Sequence, residues 1–159
     1  MQTPEKKDES LAARELVLTR VFDAPARLLF EAYSKPEHLL KWFGPAGWPL
    51  TLCEVDFRVG GRYRFAMTGP NGQQNTPFGG KYLEIVPNQR LVFDNQFETE
   101  GAEQMIMTVT FSEQAGKTTV TLHTLFGSVA MKELHVRGGF EAGTSSAYDQ
   151  LAAVVRNLQ

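Results

Sequence analysis

The residues of this sequence that could bind a metal or attack a substrate are few and widely separated. The three histidines, His38, His123 and His135, have no partner at metal-ligand spacing, such as four residues along a helix. Cys53 is the single cysteine, so neither a thiolate cluster nor an intrachain disulfide can form. A nucleophilic thiol needs a neighbouring base and an electropositive setting, whereas a free cysteine on a strand is more often half-buried and inert. We therefore predict no metal site, no cofactor and an unreactive thiol.

A second candidate group is charged and surrounds the pair Gly60-Gly61. Its side chains could bind an anion, or they could form cross-strand ion pairs on a solvated sheet face, which the alternating pattern favours. Neither Gly60-Gly61 nor Gly79-Gly80 fits a phosphate-binding loop, because each pair lies between strands and no Gly-Lys-Ser/Thr follows. The members of the charged group are Asp56, Arg58, Arg62 and Arg64.

The aromatic and apolar residues form the most informative set. Alternation places Phe65 and Met67 on one face of a strand, and Met105 and Met107 on one face of another. An apolar concavity with few polar groups is typical of a small-molecule pocket, although the same residues could fill a packed core. We expect Trp42 and Trp48 at the rim of such a cavity. The predicted ligand-binding residues are Trp42, Trp48, Phe65, Met67, Phe78, Phe93, Met105, Met107, Leu122, Phe126, Phe140 and Tyr148.

The elements that must position these residues follow from periodicity and turn signals. Asp23 is predicted to cap the first helix, and Ser34 with Glu37 has the spacing of a capping box for the second. Gly79-Gly80 is expected to form a bulge in its strand. The predicted strands are 15–22, 50–59, 62–67, 76–86, 90–97, 103–112 and 117–126, and the predicted helices are 26–33, 37–42, 128–136 and 140–157.

This order predicts an α+β fold. Six consecutive strands with short turns imply an antiparallel meander, which the first strand extends to seven, and the long apolar helix 140–157 must cover one face. The length of 159 residues suits one domain, predicted at 14–159, preceded by a flexible segment at 1–13.

Composition and charge exclude some classes of partner. The net charge of −2 comes without a basic stripe, which argues against nucleic acid. No stretch approaches the roughly 18 apolar residues of a membrane span, and residues 1–14 lack the apolar run of a secretory signal. We therefore expect a cytoplasmic protein.

An ordered series of short motifs resembles a known family. The chain looks like a member of the SRPBCC superfamily (START-like, or birch-pollen-allergen-like), in the branch of homologues of the activator of heat-shock protein 90 ATPase. The resemblance spans about residues 15–158 and implies a helix-grip fold, with a curved sheet around the C-terminal helix and an internal pocket. The motifs are Phe22-Asp23-Ala24-Pro25, Lys35-Pro36-Glu37-His38-Leu39, Trp42-Phe43-Gly44-Pro45, Val55 to Tyr63, Gly80 to Pro87 and Thr118 to Leu122.

The sequence leaves three functions open. The first is non-catalytic binding of a hydrophobic or aromatic small molecule in the cavity. The second is an enzyme of cyclase, dehydratase or hydrolase type, as some members of the superfamily are. The third is a co-chaperone-like interaction module with a chaperone partner. A homodimer could form through the edge strand 15–22. The residues nominated for catalysis are Tyr63, Asp94, Asn95, Glu98 and Tyr148.

Overall fold

A seven-stranded antiparallel sheet frames the molecule, and a C-terminal helix packs against its inner face. The computed structural model describes residues 10–159. The strands are β1 (Glu15–Phe22), β2 (Leu50–Val55), β3 (Arg62–Met67), β4 (Phe78–Val86), β5 (Arg90–Phe97), β6 (Met105–Gln114) and β7 (Lys117–Leu125). The helices are α1 (Leu11–Arg14), α2 (Ala26–Ser34), α3 (Pro36–Trp42), α4 (Val129–Arg137) and α5 (Phe140–Asn157).

The strand order β1-β7-β6-β5-β4-β3-β2 is the predicted meander. Strands β2 to β7 pair with their neighbours along the chain, and β1 pairs with β7 from Glu15↔Leu125 to Phe22↔Thr118. The predicted α+β class and helix-grip architecture are confirmed. None of the helices within residues 10–159 is both long and apolar enough to cross a membrane.

The helix starts differ from the predicted ones. Asp23 does not cap α2; instead the Ala26 N–H donates to Glu113 Oε1 at 2.6 Å, from the far end of β6. The predicted capping box is also wrong, because Ser34 is the last residue of α2 and its hydroxyl donates to the Glu31 carbonyl. A single residue, Lys35, separates α2 from α3, which leaves no room for a separate capping serine.

Four strand predictions differ from the structure. β6 is Met105–Gln114 rather than 103–112, and β7 ends at Leu125 rather than at residue 126. β2 ends at Val55 rather than at residue 59, because Arg58 N–H bonds the Asp56 carbonyl and Gly61 N–H bonds the Arg58 carbonyl in a tight turn. The irregularity in β4 lies between Tyr82 and Glu84, not at Gly79-Gly80, which pair regularly with β3. Gly79 and Gly80 are therefore needed for a reason other than bending of the sheet.

Helix α5 supplies one wall of the core. Its residues Ala147, Tyr148, Leu151, Val154 and Val155 are buried, at the spacing of one helix face. At the other end of the chain, α1 is a single turn capped by the Ser10 hydroxyl. The rest of the segment predicted to be flexible, residues 1–9, lies outside the described residues, and the domain boundary at residue 14 stays a prediction.

Candidate functional site

An internal cavity of about 230 Å³ lies between α5 and the inner face of the sheet. Its wall takes side chains from α2, α3, α4 and α5 and from strands β3 to β7. The structure brings nine of the twelve predicted ligand-binding residues together in this wall, and their ligand-binding role stays a prediction. They are Trp42, Met67, Phe78, Phe93, Met105, Met107, Leu122, Phe140 and Tyr148.

Three predicted residues lie elsewhere. Phe126 is fully buried behind the wall, with its ring 5.7 Å from that of Phe140. Phe65 packs between Phe43 and Tyr63 at 5.1 and 4.9 Å, beside the cavity. Trp48 does not reach the cavity, because its indole lies directly over Gly69.

Trp42 belongs to the wall rather than to the rim. It is only 2% exposed, and its indole Nε1 donates to the Ala32 carbonyl at 2.9 Å. Its ring contacts Tyr33 at 4.7 Å and Tyr148 at 6.1 Å. The hydrogen bond holds the indole in one orientation, so this side of the cavity is a rigid aromatic surface.

Several wall residues were absent from the predicted ligand-binding set. On α5, Gly143 and Ala147 lie three and seven residues after Phe140, so helical periodicity could have found them. These small residues leave space beside the larger rings. Phe97 lies four residues after Phe93 on β5, so strand alternation could also have found it. Tyr33 and His135 reach the wall only through the tertiary fold. The full set added by the structure is Tyr33, Phe43, Gly44, Pro45, Asn95, Phe97, His135, Gly143, Thr144 and Ala147.

The wall carries few polar groups. The hydroxyls of Tyr33 and Tyr148 bond each other at 2.6 Å. Burial raises the pKa of Tyr148 to about 12 and holds that of Tyr33 well above its ordinary value. Both phenols are therefore neutral at physiological pH and can offer hydrogen bonds but not a base. The other polar side chains of the wall are Asn95 on β5, which is 7% exposed, His135 on α4 and Thr144 on α5.

The residues nominated for catalysis lie in different parts of the structure. Asn95 and Tyr148 line the cavity. Asp94 instead accepts from the Lys81 N–H at 2.8 Å and lies against Gly80, while its carbonyl accepts from the Tyr63 hydroxyl at 2.7 Å. Glu98 is at the surface. The structure therefore does not assemble the five into one constellation.

The charged group around Gly60-Gly61 forms ion pairs, but not across neighbouring strands. Arg58 pairs with Asp56 at 2.9 Å within the turn. Arg64 makes a two-pronged contact with Glu98, at 2.6 and 2.9 Å. Because both pairs are exposed, each contributes little to stability.

The histidines lie in three separate places. His38 is near Glu31 at 3.7 Å and His123 is near Glu15 at 3.6 Å. His135 reaches the cavity wall, where its Nδ1 must donate to the Met131 carbonyl at 2.9 Å, since a carbonyl can only accept. Within residues 10–159, no three histidine, cysteine or carboxylate side chains are grouped so as to hold a metal ion.

We expect the Cys53 thiol to react slowly with thiol reagents in the native protein. Burial raises its pKa to about 11, so on the order of a thousandth of the thiol is thiolate at pH 8. The rate of labelling with a disulfide reagent should therefore keep rising up to about pH 11, because only the thiolate attacks. The same protein in urea serves as the control and should level off near the ordinary thiol pKa. A native rate that levels off below pH 9 would contradict this prediction.

Residues 23–156 match the family described as Activator of Hsp90 ATPase homolog 1-like protein. The chain belongs to this family. The match covers most of the chain, and it confirms the resemblance to the SRPBCC superfamily that the ordered motifs indicated.

Solved structures of similar proteins share this fold over most of the chain. A protein of Chromobacterium violaceum is 30% identical, with a TM-score of 0.75 over 89% of this chain and 96% of that one. A protein of Mycobacterium smegmatis is 27% identical, with a TM-score of 0.82 over 96% and 97%. A protein of Nitrosomonas europaea is 25% identical, with a TM-score of 0.81 over 92% and 96%. No curated protein matches the sequence.

Proposed function

We propose that this AHSA1-like protein binds a small hydrophobic or aromatic molecule in its internal cavity, without catalysing a reaction on it. The observation that carries the proposal is the composition of the wall, in which aromatic and methionine side chains predominate and no carboxylate, lysine or arginine takes part. Such a wall favours an uncharged ligand, because a charge would lose its hydration without gaining a partner. Methionines adapt to ligands of different shape.

The cavity volume sets the size of the ligand. Drug-sized ligands commonly occupy pockets of about 300–1,000 Å³, whereas an apolar cavity of about 150 Å³ can hold benzene. A volume of about 230 Å³ therefore suits a molecule with one or two fused rings. Fatty acyl chains and larger polycyclic compounds would require the wall to move.

The non-catalytic part of the proposal rests on the polar groups of the wall. General acid–base catalysis needs a group whose pKa lies near the working pH. Tyr33 and Tyr148 are far from that range, and an asparagine does not titrate. His135 is the remaining candidate, and one of its ring nitrogens is already engaged by Met131. A cyclase- or hydrolase-like activity would have to depend on His135.

The co-chaperone hypothesis and the dimer remain predictions beside this proposal. The family description names activation of the Hsp90 ATPase, so the purified chain can be assayed for that effect. β1 lies at the edge of the sheet, and its Val17 and Val21 are 52% and 60% exposed. An edge strand of this kind could pair with a second copy. The cytoplasmic location likewise stays a prediction.

We expect Gly143→Leu to block ligand binding. A Cβ added at Gly143 would meet no atom of a neighbouring element within 4 Å, and it would lie on the same face of α5 as Phe140 and Ala147. A leucine there should occupy the cavity and weaken naphthalene binding at least tenfold, as measured by calorimetry or by shifts in an NMR spectrum.

The matched control is Gly143→Ala, which adds only one methyl group. It should keep the naphthalene affinity within a factor of about three and should raise the free energy of unfolding by about 0.5–1 kcal/mol, since glycine is unfavourable inside a helix. Unchanged naphthalene affinity in Gly143→Leu would show that the ligand binds outside this cavity. If the wild-type protein binds neither naphthalene nor related one- and two-ring probes, the proposed function is wrong.

A further inference from the structure

The wall of the cavity is half-buried on one side only. The wall residues contributed by α2, β6 and β7 are all buried. The half-buried ones lie where strands end and where α4 passes into α5, so the cavity is open to solvent there, and we call them the mouth. They include Met67 and Phe97, the last residues of β3 and β5, His135 on α4, and Phe140 and Thr144 on α5.

The polar side chains of the wall differ in whether a ligand can reach an unpaired atom. Deep in the cavity, the hydroxyls of Tyr33 and Tyr148 bond each other, and Asn95 Oδ1 is closed off from solvent. The other two polar side chains, His135 and Thr144, belong to the mouth. The mouth is therefore the place where a ligand can form a hydrogen bond with the wall.

The His135 ring presents an acceptor. Its Nδ1 donates to the Met131 carbonyl at 2.9 Å, so the neutral ring carries no proton on Nε2. Nε2 has no hydrogen-bond partner among residues 10–159, yet it is not one of the unpartnered side-chain atoms that are buried there. A small molecule can therefore contact this nitrogen, in contrast to the oxygen of Asn95.

Aromatic neighbours orient this ring toward the cavity. Its centroid is 6.2 Å from those of Phe97 and Phe140, which both line the cavity, and Phe126 supports it from behind the wall at 5.3 Å. Because Nδ1 is held against the α4 backbone, the end of the ring that carries Nε2 extends away from α4 toward Phe97 and Phe140. The acceptor nitrogen thus lies beside the entrance to the apolar space.

The chemistry of the wall limits the group that can pair with this nitrogen. A ring that donates through Nδ1 has no second proton, so an anionic group on the ligand finds no donor there. An ammonium group is disfavoured as well, since no carboxylate lines the cavity to balance its charge. A neutral O–H or N–H group remains, on a molecule whose rings occupy the apolar interior.

We propose that the cavity binds a neutral aromatic molecule of one or two rings through a hydroxyl or ring N–H group, which donates a hydrogen bond to His135 Nε2 at the mouth. This inference rests on the proposed function, since it names the ligand class of the same site. An analogue without the donor leaves Nε2 unpaired and excludes the water that would otherwise bond it, so it binds more weakly.

Three naphthalenes of similar shape test the donor requirement in the wild-type protein. 2-Naphthol has the donor, 2-methylnaphthalene replaces the hydroxyl by a methyl group, and 2-methoxynaphthalene keeps the oxygen without its proton. We expect 2-naphthol to bind at least about fivefold more tightly than either of the others in calorimetric titrations, as a neutral hydrogen bond allows. Equal affinities for 2-naphthol and either analogue would overturn the donor inference and leave the proposed function standing. No binding of any of the three would reject the proposed function itself.

Two substitutions at one position assign the preference to Nε2. The amide of His135→Asn can still donate to the Met131 carbonyl but has no atom at the place of Nε2, so this variant should lose the preference for 2-naphthol while 2-methylnaphthalene still binds. The longer His135→Gln can place its amide oxygen near that position and should keep most of the preference. The control is His123→Asn, at a histidine outside the cavity wall, and it should behave like the wild-type protein.

An unchanged preference in His135→Asn would overturn the assignment. Thr144→Val distinguishes the other polar side chain of the mouth, because loss of the preference in that variant alone would assign the hydrogen bond to Thr144. Nuclear Overhauser effects between 2-naphthol and the His135 ring in the wild-type protein remain decisive if the variants do not fold. Their absence, with 2-naphthol bound, would show that the ligand does not reach His135.

Discussion

Replacing Gly80 with alanine is expected to destabilise the folded protein by about 3 kcal/mol, near the upper end for overpacking a buried site. A Cβ at this position would lie far inside van der Waals contact with the carbonyl oxygen and Oδ1 of Asp94 on β5. Asp94 cannot easily move away, because its carbonyl accepts from Tyr63 and its Oδ1 accepts from the Lys81 N–H. The added methyl group must therefore separate β4 from β5.

Urea unfolding of Gly80→Ala beside Gly143→Ala provides the measurement. The two changes add the same methyl group, but the one at Gly143 meets open space and should stabilise the protein. If Gly80→Ala lowers the free energy of unfolding while Gly143→Ala raises it, the loss at Gly80 comes from steric overlap and not from the general effect of replacing a glycine. A loss below about 1 kcal/mol for Gly80→Ala would contradict the proposed close approach.

The second large effect is expected for Leu151→Ala, which should cost about 3–4 kcal/mol of unfolding free energy. Leu151 is fully buried on α5 at the centre of the core cluster. Truncation removes its apolar contacts and leaves a cavity that the sheet and helices cannot fully close. The loss should appear as a lower urea midpoint with an unchanged denaturant slope, since the surface exposed on unfolding hardly changes.

Leu134→Ala is the matched control for Leu151→Ala. Leu134 is the same residue type on α4, but 65% of its surface is exposed. Leu134→Ala should change the unfolding free energy by no more than about 0.5 kcal/mol. Similar losses in both variants would mean that α5 does not anchor the core as described.

Local periodicity was sufficient for most of the secondary structure. The predicted bounds 15–22, 62–67, 90–97 and 140–157 coincide with β1, β3, β5 and α5. In β3 and α5 the alternation of two, or the helical spacing, is regular, whereas β1 and β5 were bounded mainly by their β-rich composition and the turn residues around them. A signal of this kind is contained in a few consecutive side chains, and it survives packing because burial of one face reinforces it.

Several of the predictions that failed depend on contacts between distant parts of the chain. Ala26 is capped by Glu113, which is 87 residues away, so no local motif could identify the cap. Gly79 and Gly80 are glycines because neighbouring strands approach them closely, not because the sheet bends there. Phe126 and Phe65 alternate as cavity residues would, yet they pack just behind its wall. Periodicity shows on which face of a strand or helix a side chain lies, but not whether that side chain reaches the cavity or packs behind its wall.

The sequence by itself determined the seven-stranded sheet, the long helix that it holds, the family, and nine of the residues that line the cavity. Only the tertiary structure decided that those residues border a space of about 230 Å³ and that the buried Asn95 Oδ1 has no hydrogen-bond partner among the described residues. The physical reason is that patterning depends on which side chains are apolar. A cavity and an unpaired atom depend instead on small differences in distance between elements far apart in the chain.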